Sequence, residues 1–542
     1  MSLFDRILAA RGITPETRAL FLSPDYAARH DPLLLPDMDK AVARLVTARE
    51  KQEKITIYGD YDIDGLTATT LLLDAFGSFG FENVKSFIPN RFVEGYGLTV
   101  DAIERIAADG AQLIVTVDCG SLSHKEIARA NELGVDVIVT DHHNVSDTPP
   151  PAIATVNPKR KDHNYPFIDL AGVGVAFKLV QALQTKLDGL ELGQEKWLLD
   201  LVALGTVCDV VTLVDENRTN VYWGLKVLSQ TRRPGLKALM AVAGVEPRTV
   251  NARSLGFALG PRMNAAGRLE TAEYSLELLR ATDGMAALTI ARQLDEMNKA
   301  RRAEQDKIFK EAIIQAEEYV NDPVLVVSGQ NWNHGIVGIV AAKLLERYKK
   351  PTFVIEEMGE EAKGSARSYG DFSAADAIRA ADDLITKGGG HKLAAGVTLP
   401  TANIPAFRER VNQFFKGQKL REQTALLLPQ ADADAEVTEL TEALITELEQ
   451  LEPFGNGNPQ PIFKSSELLV MNQRKMGDNS QHVKLTLQTQ TGETIDMLAF
   501  SAPNHFFVEP GEKVTVWYTV DVNEWQGRRS VEGFLKHLET SS

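Results

Sequence analysis

With 542 residues, 44% hydrophobic and 24% charged, the chain has the composition of an ordinary globular protein and the length for about three or four packed domains. No run of about 18 uninterrupted apolar residues occurs, so no membrane span is expected, and with only Cys119 and Cys208 a disulfide framework is excluded and a reducing cytoplasm is expected. The formal charge of −16 opposes nonspecific polyanion binding, so a nucleic-acid partner has to meet a local groove, with metal ions supplying part of the positive charge.

Residues 1–50 carry a helical pattern with turns at Pro15, Pro24 and Pro32 to Pro36, and are expected to cap the next domain. The opening MSLFDRILAARGI is broken by Asp5 and Arg6 and reads as a helix rather than a secretion signal. From Lys54 a short apolar strand, ITIY, leads into an acidic loop, a helix predicted over Leu66 to Phe79 and a strand at Val84 to Ile88. The unit repeats. Leu113 to Val117 is a β-branched strand ending at Asp118, a helix follows from Ser123 to Leu133, and Val135 to Thr140 ends at Asp141-His142-His143. Strands alternating with helices predict a parallel, doubly wound sheet.

In the acidic loop, YGDYDIDGLT, Asp60, Asp62 and Asp64 alternate. In an extended segment such side chains share one face, about 7 Å apart. Crowded carboxylates are unfavourable without a cation against them, and hard divalent cations take oxygen ligands. Taken alone, the pattern has a second reading as a solvated acidic loop. Its position favours the metal: Asp60 to Asp64, Asp118 and His142 all follow the carboxyl ends of strands, where open α/β sheets bind ligands.

After Asn157-Pro158 apolar helices are predicted at about Gly172 to Leu187 and Lys196 to Thr206, the second leading into CDVV. Asp209, so flanked by apolar residues, should be paired or coordinated. Its neighbour Cys208 reads as a small buried hydrophobe in preference to a soft ligand. Gly260 to Arg268, GPRMNAAGR, reads either as a helix-connecting turn or as an anion clamp through Arg262 or Arg268. From about Met285 to Val320 a polar helix without Gly or Pro suits a strut about 50 Å long.

A second α/β unit opens at Pro323, with strands at Val324 to Ser328 and Thr352 to Ile355. Between them His334 and Gly335 stand where a helix begins, fit either to cap it or to meet an anion. KGSARS, with Ser365 and Arg367, and a glycine-rich turn, Gly388, Gly389 and Gly390 beside His391, make a polyanion-binding face credible. Beyond Lys416 an acidic helical segment, Thr438 to Leu451, leads to the irregular PFGNGNPQP. Five predicted strands from Ile462 onward suggest a small OB-type barrel, where Trp517, Tyr518, Trp525, Arg528 and Arg529 serve a single strand or, for the aromatics, the core.

Chemically, Asp62, Asp64, Asp118, His142, His143 and Asp209 are enough donors for two cations sharing a carboxylate. Such sites hydrolyse phosphate esters or anhydrides. Oxygen and imidazole ligands suit Mn²⁺ or Mg²⁺ better than zinc. GxSxG is absent and the glycine-rich stretch lacks Walker spacing, so neither a serine nucleophile nor ATP use is expected.

GDYDIDG, VDCG around Asp118, Asp141-His142-His143 and CDVV resemble the four motifs of the DHH phosphoesterase superfamily, and GGGHKLAAG resembles the signature of its associated DHHA1 domain. With GPRMNAAGR, KGSARS, PFGNGNP and the barrel, nearly the whole chain resembles the superfamily's bacterial single-strand-specific DNA exonucleases. The resemblance implies 5′ to 3′ degradation of single-stranded DNA to 5′-mononucleotides in recombination and repair. It implies that Asp62, Asp64, Asp118, His142 and Asp209 bind two divalent cations, Asp118 bridging, with Asp60 in or near that shell and His143 on phosphate. Ser365, Arg367 and Gly388 to Gly390 would hold DNA phosphates in a cleft between the two α/β domains, with Arg262, Asn264, Arg268, His334 and His391 as helpers. Single-strand-binding protein and helicase partners are implied too, with oligomeric state left open and a monomer compatible. Related pyrophosphatases carry a histidine near the position of Tyr58, and this departure argues against pyrophosphate as substrate. The expected architecture is an α/β chain: a helical cap (1–50), a doubly wound parallel-sheet DHH domain (51–283), a connecting helix (284–322), a smaller α/β DHHA1 domain (323–418), a linker with an acidic helix (419–460) and an OB-like β-barrel (461–542).

Overall fold

The computed structural model describes residues 1–91, 93–95, 97–418, 428–477, 479–525 and 527–540. Residues 419–427 of the expected linker and the Trp525 side chain lie outside the described part. The chain forms two compact units, one of residues 1–260, 276–288 and 429–542, the other of 261–275 and 289–428. No helix among the described residues is long and apolar enough to cross a membrane.

The first unit contains a five-stranded sheet of β1 (Ile55–Tyr58), β2 (Val84–Phe87), β3 (Leu113–Val117), β4 (Asp136–Thr140) and β5 (Ala154–Val156), in the order β2-β1-β3-β4-β5 and parallel throughout. β1, β3 and β4 are buried on both faces, which explains their continuous β-branched runs. The order reverses between β1 and β3, the topological switch point at which loops part and leave a crevice past the strand ends. Pairing of Tyr58 with Thr116 and of Val117 with Thr140 brings the ends of β1, β3 and β4 to one edge.

The same unit holds the C-terminal barrel. After the short β11 (Ala433–Asp434), β12 (Phe463–Met476), β13 (His482–Gln488), β14 (Thr494–Ala499), β15 (Lys513–Trp525) and β16 (Arg528–Thr540) pair as β12-β13-β14-β16-β15. β15 returns to β12 and closes the barrel. Its core runs through Phe463, Leu485, Met497, Val516 and Tyr518. Tyr518, a candidate for stacking on a single strand, is fully buried and shares a hydrogen bond with Ser465, so it belongs to the core. The N-terminal cap divides as well. Helix Leu3–Ala10 buries Leu3, Phe4, Ile7 and Leu8 in the barrel core, whereas helix Met38–Glu50 packs against β5.

In the second unit, β6 (Leu325–Gln330), β7 (Thr352–Met358), β8 (Glu361–Arg367), β9 (Lys387–Gly390) and β10 (Ala394–Pro400) form a mixed sheet in the order β6-β7-β8-β10-β9. The helix predicted as a strut is a single element, Gly284–Glu318, of 35 residues and about 52 Å at 1.5 Å per residue. Two expectations change here. Gly260–Leu269 is an α-helix rather than a turn, because Met263, Ala265 and Ala266 bury one face of it. Gly388 to Gly390 form the edge strand β9 rather than a turn, held to β10 by antiparallel pairing.

Candidate metal centre and phosphate-binding face

Asp60, Asp62 and Asp64 do not lie in one extended segment. Asp62 is the N-cap of helix Ile63–Ser78, its carboxylate accepting from Gly65 N at 3.1 Å, and Asp64 stands in the first turn. The helix therefore begins before Leu66, and Gly65 is inside it. A Cβ there would lie 2.6 Å from Asp60 N and O, so glycine is required by close backbone approach. Asp118 follows β3 with φ +62, a left-handed conformation that few side chains adopt and that turns its carboxylate to the same edge.

These donors form overlapping groups: Asp60, Asp62 and Asp118; Asp64, His142 and Asp209; and Asp118, His142 and His143. His142 Nε2 is 3.1 Å from Asp118 Oδ1, 3.8 Å from Asp64 Oδ2 and 3.6 Å from Asp209 Oδ2. Asp118 and His142 are each shared by two of the groups and so join the three. Asp60 Oδ1, Asp118 Oδ1 and His142 Nε2 are buried and have no hydrogen-bond partner. Orphaned buried acceptors cost free energy, and cations would satisfy all three at once. The donor set, four or more carboxylate oxygens with one or two imidazoles, fits hard divalent ions.

Burial pushes the acids up. Asp64 rises to about 7 through burial and the Asp62 charge, and Asp209 to about 9 through burial and the charges of Asp64 and Asp62. Asp60 and Asp118 also lie well above the usual carboxylate range, again through burial and then neighbouring aspartates. Burial, and then the charge of His143, brings His142 down to about 3, so it is a neutral imidazole with a lone pair to give. His143 differs. Burial opposes its charge, yet the hydrogen bond and charge of Asp141 outweigh that and raise its pKa. The Nδ1 to Oδ1 distance is 2.9 Å.

Several residues of the centre were given no role from sequence. Asp141, whose pKa is depressed despite burial by its contacts with His143, accepts from Ser121 N at 2.9 Å and His142 N at 2.7 Å and so fixes both histidines. Asn157 donates to His143 O at 2.9 Å. Gly172 and Val173, opening helix Gly172–Leu183, donate to the two oxygens of Asp64 at 2.6 and 2.8 Å. The irregular PFGNGNP segment also gains a purpose: Asn456 donates to Val210 O at 2.9 Å and accepts from Leu213 N at 2.7 Å, clamping the chain that follows Asp209. Tyr58, at the position noted for a histidine elsewhere, is wholly buried and donates to Gly97 O at 3.0 Å.

At Gly172 a Cβ would lie 2.6 Å from Asp118 Oδ1 and 2.7 Å from its Cβ. Gly172→Ala should therefore displace Asp118 and raise the Mn²⁺ concentration needed for half-maximal stabilisation at least about tenfold, a factor equal to 1.4 kcal/mol. Titrating thermal stability with Mn²⁺ checks this, and an unchanged midpoint concentration would contradict the packing.

In the second unit, helix His334–Tyr348 starts at Asn333, whose side chain accepts from Gly335 N at 2.8 Å. His334 Nδ1 is 2.9 Å from Glu356 Oε2. Arg268 donates to Gly335 O at 2.9 Å, while Arg262 pairs with Asp295 at 2.8 Å. Asn264 is half-buried on the same helix. A Cβ on Gly338 would touch Arg367 Nη2 at 3.2 Å and Ser365 Oγ at 3.4 Å, so the first turns of the helix, Ser365 and Arg367 share one face. The amides at the helix start are already engaged, His334 N donating to Glu356 Oε2 at 2.9 Å and Gly335 N to Asn333, so what this face has to present to an anion is the Ser365 hydroxyl and the Arg367 guanidinium. Gly388, Gly389, Gly390 and His391 are exposed on the edge strand and just beyond it, and a Cβ on Gly389 would meet nothing within 4 Å.

Three family profiles match the sequence: the DHH family, N-terminal domain, over residues 54–206, the DHHA1 domain over residues 321–417 and the RecJ OB domain over residues 431–537. The chain is 38% identical over 540 residues to the single-stranded-DNA-specific exonuclease RecJ of Bacillus subtilis (strain 168), which takes in 99% of this chain and 67% of that protein. To the exonuclease of the same name from Salmonella typhimurium it is 36% identical over 523 residues, 92% of this chain and 89% of the other. Among solved structures, RecJ in complex with Mn²⁺ from Thermus thermophilus superposes with a TM-score of 0.84 at 29% identity, covering 99% of this chain and 76% of that one. Exonuclease RecJ bound to manganese gives a TM-score of 0.64 at 34% identity, covering 72% and 97%.

Proposed function

Because the chain belongs to the RecJ family of single-stranded-DNA-specific exonucleases, we propose that it degrades single-stranded DNA from the 5′ end to 5′-mononucleotides by metal-dependent phosphodiester hydrolysis. The observation that carries the reading is the clustering of Asp60, Asp62, Asp64, Asp118, His142, His143 and Asp209 in overlapping donor groups past the strand ends, with Asp60 Oδ1, Asp118 Oδ1 and His142 Nε2 buried and without a hydrogen-bond partner.

Asp62, Asp64, Asp118, His142 and Asp209 would hold two divalent cations, Mn²⁺ or Mg²⁺, with Asp118 shared and Asp60 completing the group around Asp62. When bound, the ions supply Lewis-acid polarisation of the phosphate and lower the pKa of water. His142, neutral, offers a lone pair. His143, whose protonated form the Asp141 carboxylate favours, is suited to donate a charge-assisted hydrogen bond to a phosphate oxygen. The Gly172 and Val173 amides keep Asp64 from swinging away. Arg268, His334, Ser365, Arg367 and Gly388 to Gly390 would receive the phosphates of the strand, helped by Arg262, Asn264 and His391.

The division into cap, DHH domain, connecting helix, DHHA1 domain, linker and barrel belongs to the same reading, as do a cytoplasmic setting, a role in recombination and repair, and partnership with single-strand-binding protein or a helicase. A long strand is favoured over very short oligonucleotides or cyclic dinucleotides, since a closed barrel is of no use to a small substrate. The test compares release of nucleotide from a long 5′-labelled strand with hydrolysis of a dinucleotide, both with Mn²⁺. The strand should be degraded from its 5′ end with mononucleotide products, and activity confined to the dinucleotide would overturn the proposal.

A further inference from the structure

Two helices deliver carboxylates to the metal centre: Ile63–Ser78, bearing Asp62 and Asp64 at its start, and Leu199–Cys208, which ends at Asp209. Away from that centre, Asp74 of the first and Asp200 of the second line a cavity of about 440 Å³ together with Trp197, Arg232, Arg233 and Arg280. All of these belong to the first unit.

Arg233 bridges the helices, with Nη1 2.6 Å from Asp74 Oδ2 and Nε 3.3 Å from Asp200 Oδ1, while Thr231 Oγ1 donates to Asp200 Oδ2 at 2.6 Å. Both carboxylates are thus already engaged. Arg232 lies over Trp197, its guanidinium carbon 3.7 Å from the ring centroid. Among the described residues, neither Arg232 nor the exposed Arg280 has a carboxylate partner. Three guanidinium groups against two carboxylates leave one positive charge in excess, in a chain whose formal charge is −16.

A guanidinium stacked on an indole keeps its outer face open, and nucleobases stack on such planes. Arg280 offers forked donors that match phosphate. The volume is that of a small-ligand site, with apolar wall from Leu198, Pro234 and Leu279. We propose that this cavity is a second binding site, independent of metal and of the hydrolytic reading above, for a nucleoside 5′-monophosphate.

Calorimetric titration of the full chain in chelator tests it, with deoxyadenosine 5′-monophosphate, deoxyadenosine and inorganic phosphate as separate probes. The nucleotide should bind saturably and at least about tenfold more tightly than either fragment. Arg232→Ala and Arg280→Ala, both changes of exposed side chains, should each weaken it by about tenfold, and Arg367→Ala in the other unit should not. The proposal is overturned if the nucleotide fails to saturate, if phosphate alone binds as tightly, or if both cavity variants bind like the wild type. It is overturned too if a deoxyadenosine oligonucleotide displaces the mononucleotide at lower concentration, since the cavity is then part of a strand path.

Discussion

Replacing Asp118 with asparagine should reduce Mn²⁺-dependent nucleotide release by roughly a thousandfold or more, about 4 kcal/mol of transition-state stabilisation. In chelator the same variant should bind DNA like the wild type and resist denaturant better. Asp118 belongs to two of the three donor groups and lies 3.1 Å from His142 of the third, so its loss would take a ligand from both prospective ions. Asparagine is the informative choice, because it tolerates φ +62 and keeps the volume against which Gly172 packs. Loss of activity then reports the carboxylate charge and not a collapsed strand end. The gain in stability follows from the same carboxyl: without cations, burial and then the charges of Asp64, Asp62, Asp209 and Asp60 oppose its ionised form, so folding has to hold a proton on it, and a neutral amide avoids that cost. Cleavage within a few-fold of wild type would refute the shared role. Lost activity with lower stability in chelator would instead indicate a structural defect.

Much of this centre was legible because strand ends are legible. β-branched runs followed by Asp60, Asp118 and Asp141-His142-His143 state both the strand and the residue that leaves it, and parallel pairing does the rest. Less was legible where a side chain's role depends on what the fold brings to it. Gly172 opens an apolar helix and carries no chemical signature, yet its amide holds Asp64 and its missing Cβ admits Asp118. GPRMNAAGR looks like a turn by its glycines and proline, but its buried Met263, Ala265 and Ala266 make it helical, since tertiary burial outweighs local preference. Tyr518 shows the converse limit. Alternation along β15 says that one face is buried without saying which aromatic lies on it, and only closure against β12 sends Tyr518 inward to Ser465.

Stability in chelator should fall as pH rises from about 5.5 to about 8.5, and Mn²⁺ should reverse that slope. Asp64 and Asp209 have folded pKa values raised to about 7 and about 9, from a usual value of 3.8. Across that window these two groups therefore hold more protons in the folded chain than in the unfolded one, whereas His142, brought down to about 3, works the other way at the acid end, where only the unfolded chain protonates it. Stability present below the unfolded pKa is lost as pH climbs through the folded values, at about 1.4 kcal/mol per pH unit for each whole proton of difference. His143 acts in the same sense, since its raised pKa also binds a proton that the unfolded chain releases first. Asp141, with its pKa depressed, stays ionised throughout and contributes no slope. Divalent cations held by Asp64, Asp118 and Asp209 would replace those protons, bind better as the protons leave, and add stability by mass action. Melting curves at three pH values, with chelator and with Mn²⁺, separate the two regimes. Asp209→Asn should flatten the slope in chelator, because it removes the carboxylate that titrates near 9. A melting temperature that rises with pH in chelator, or an Asp209→Asn slope equal to wild type, would show that these aspartates do not carry the linkage.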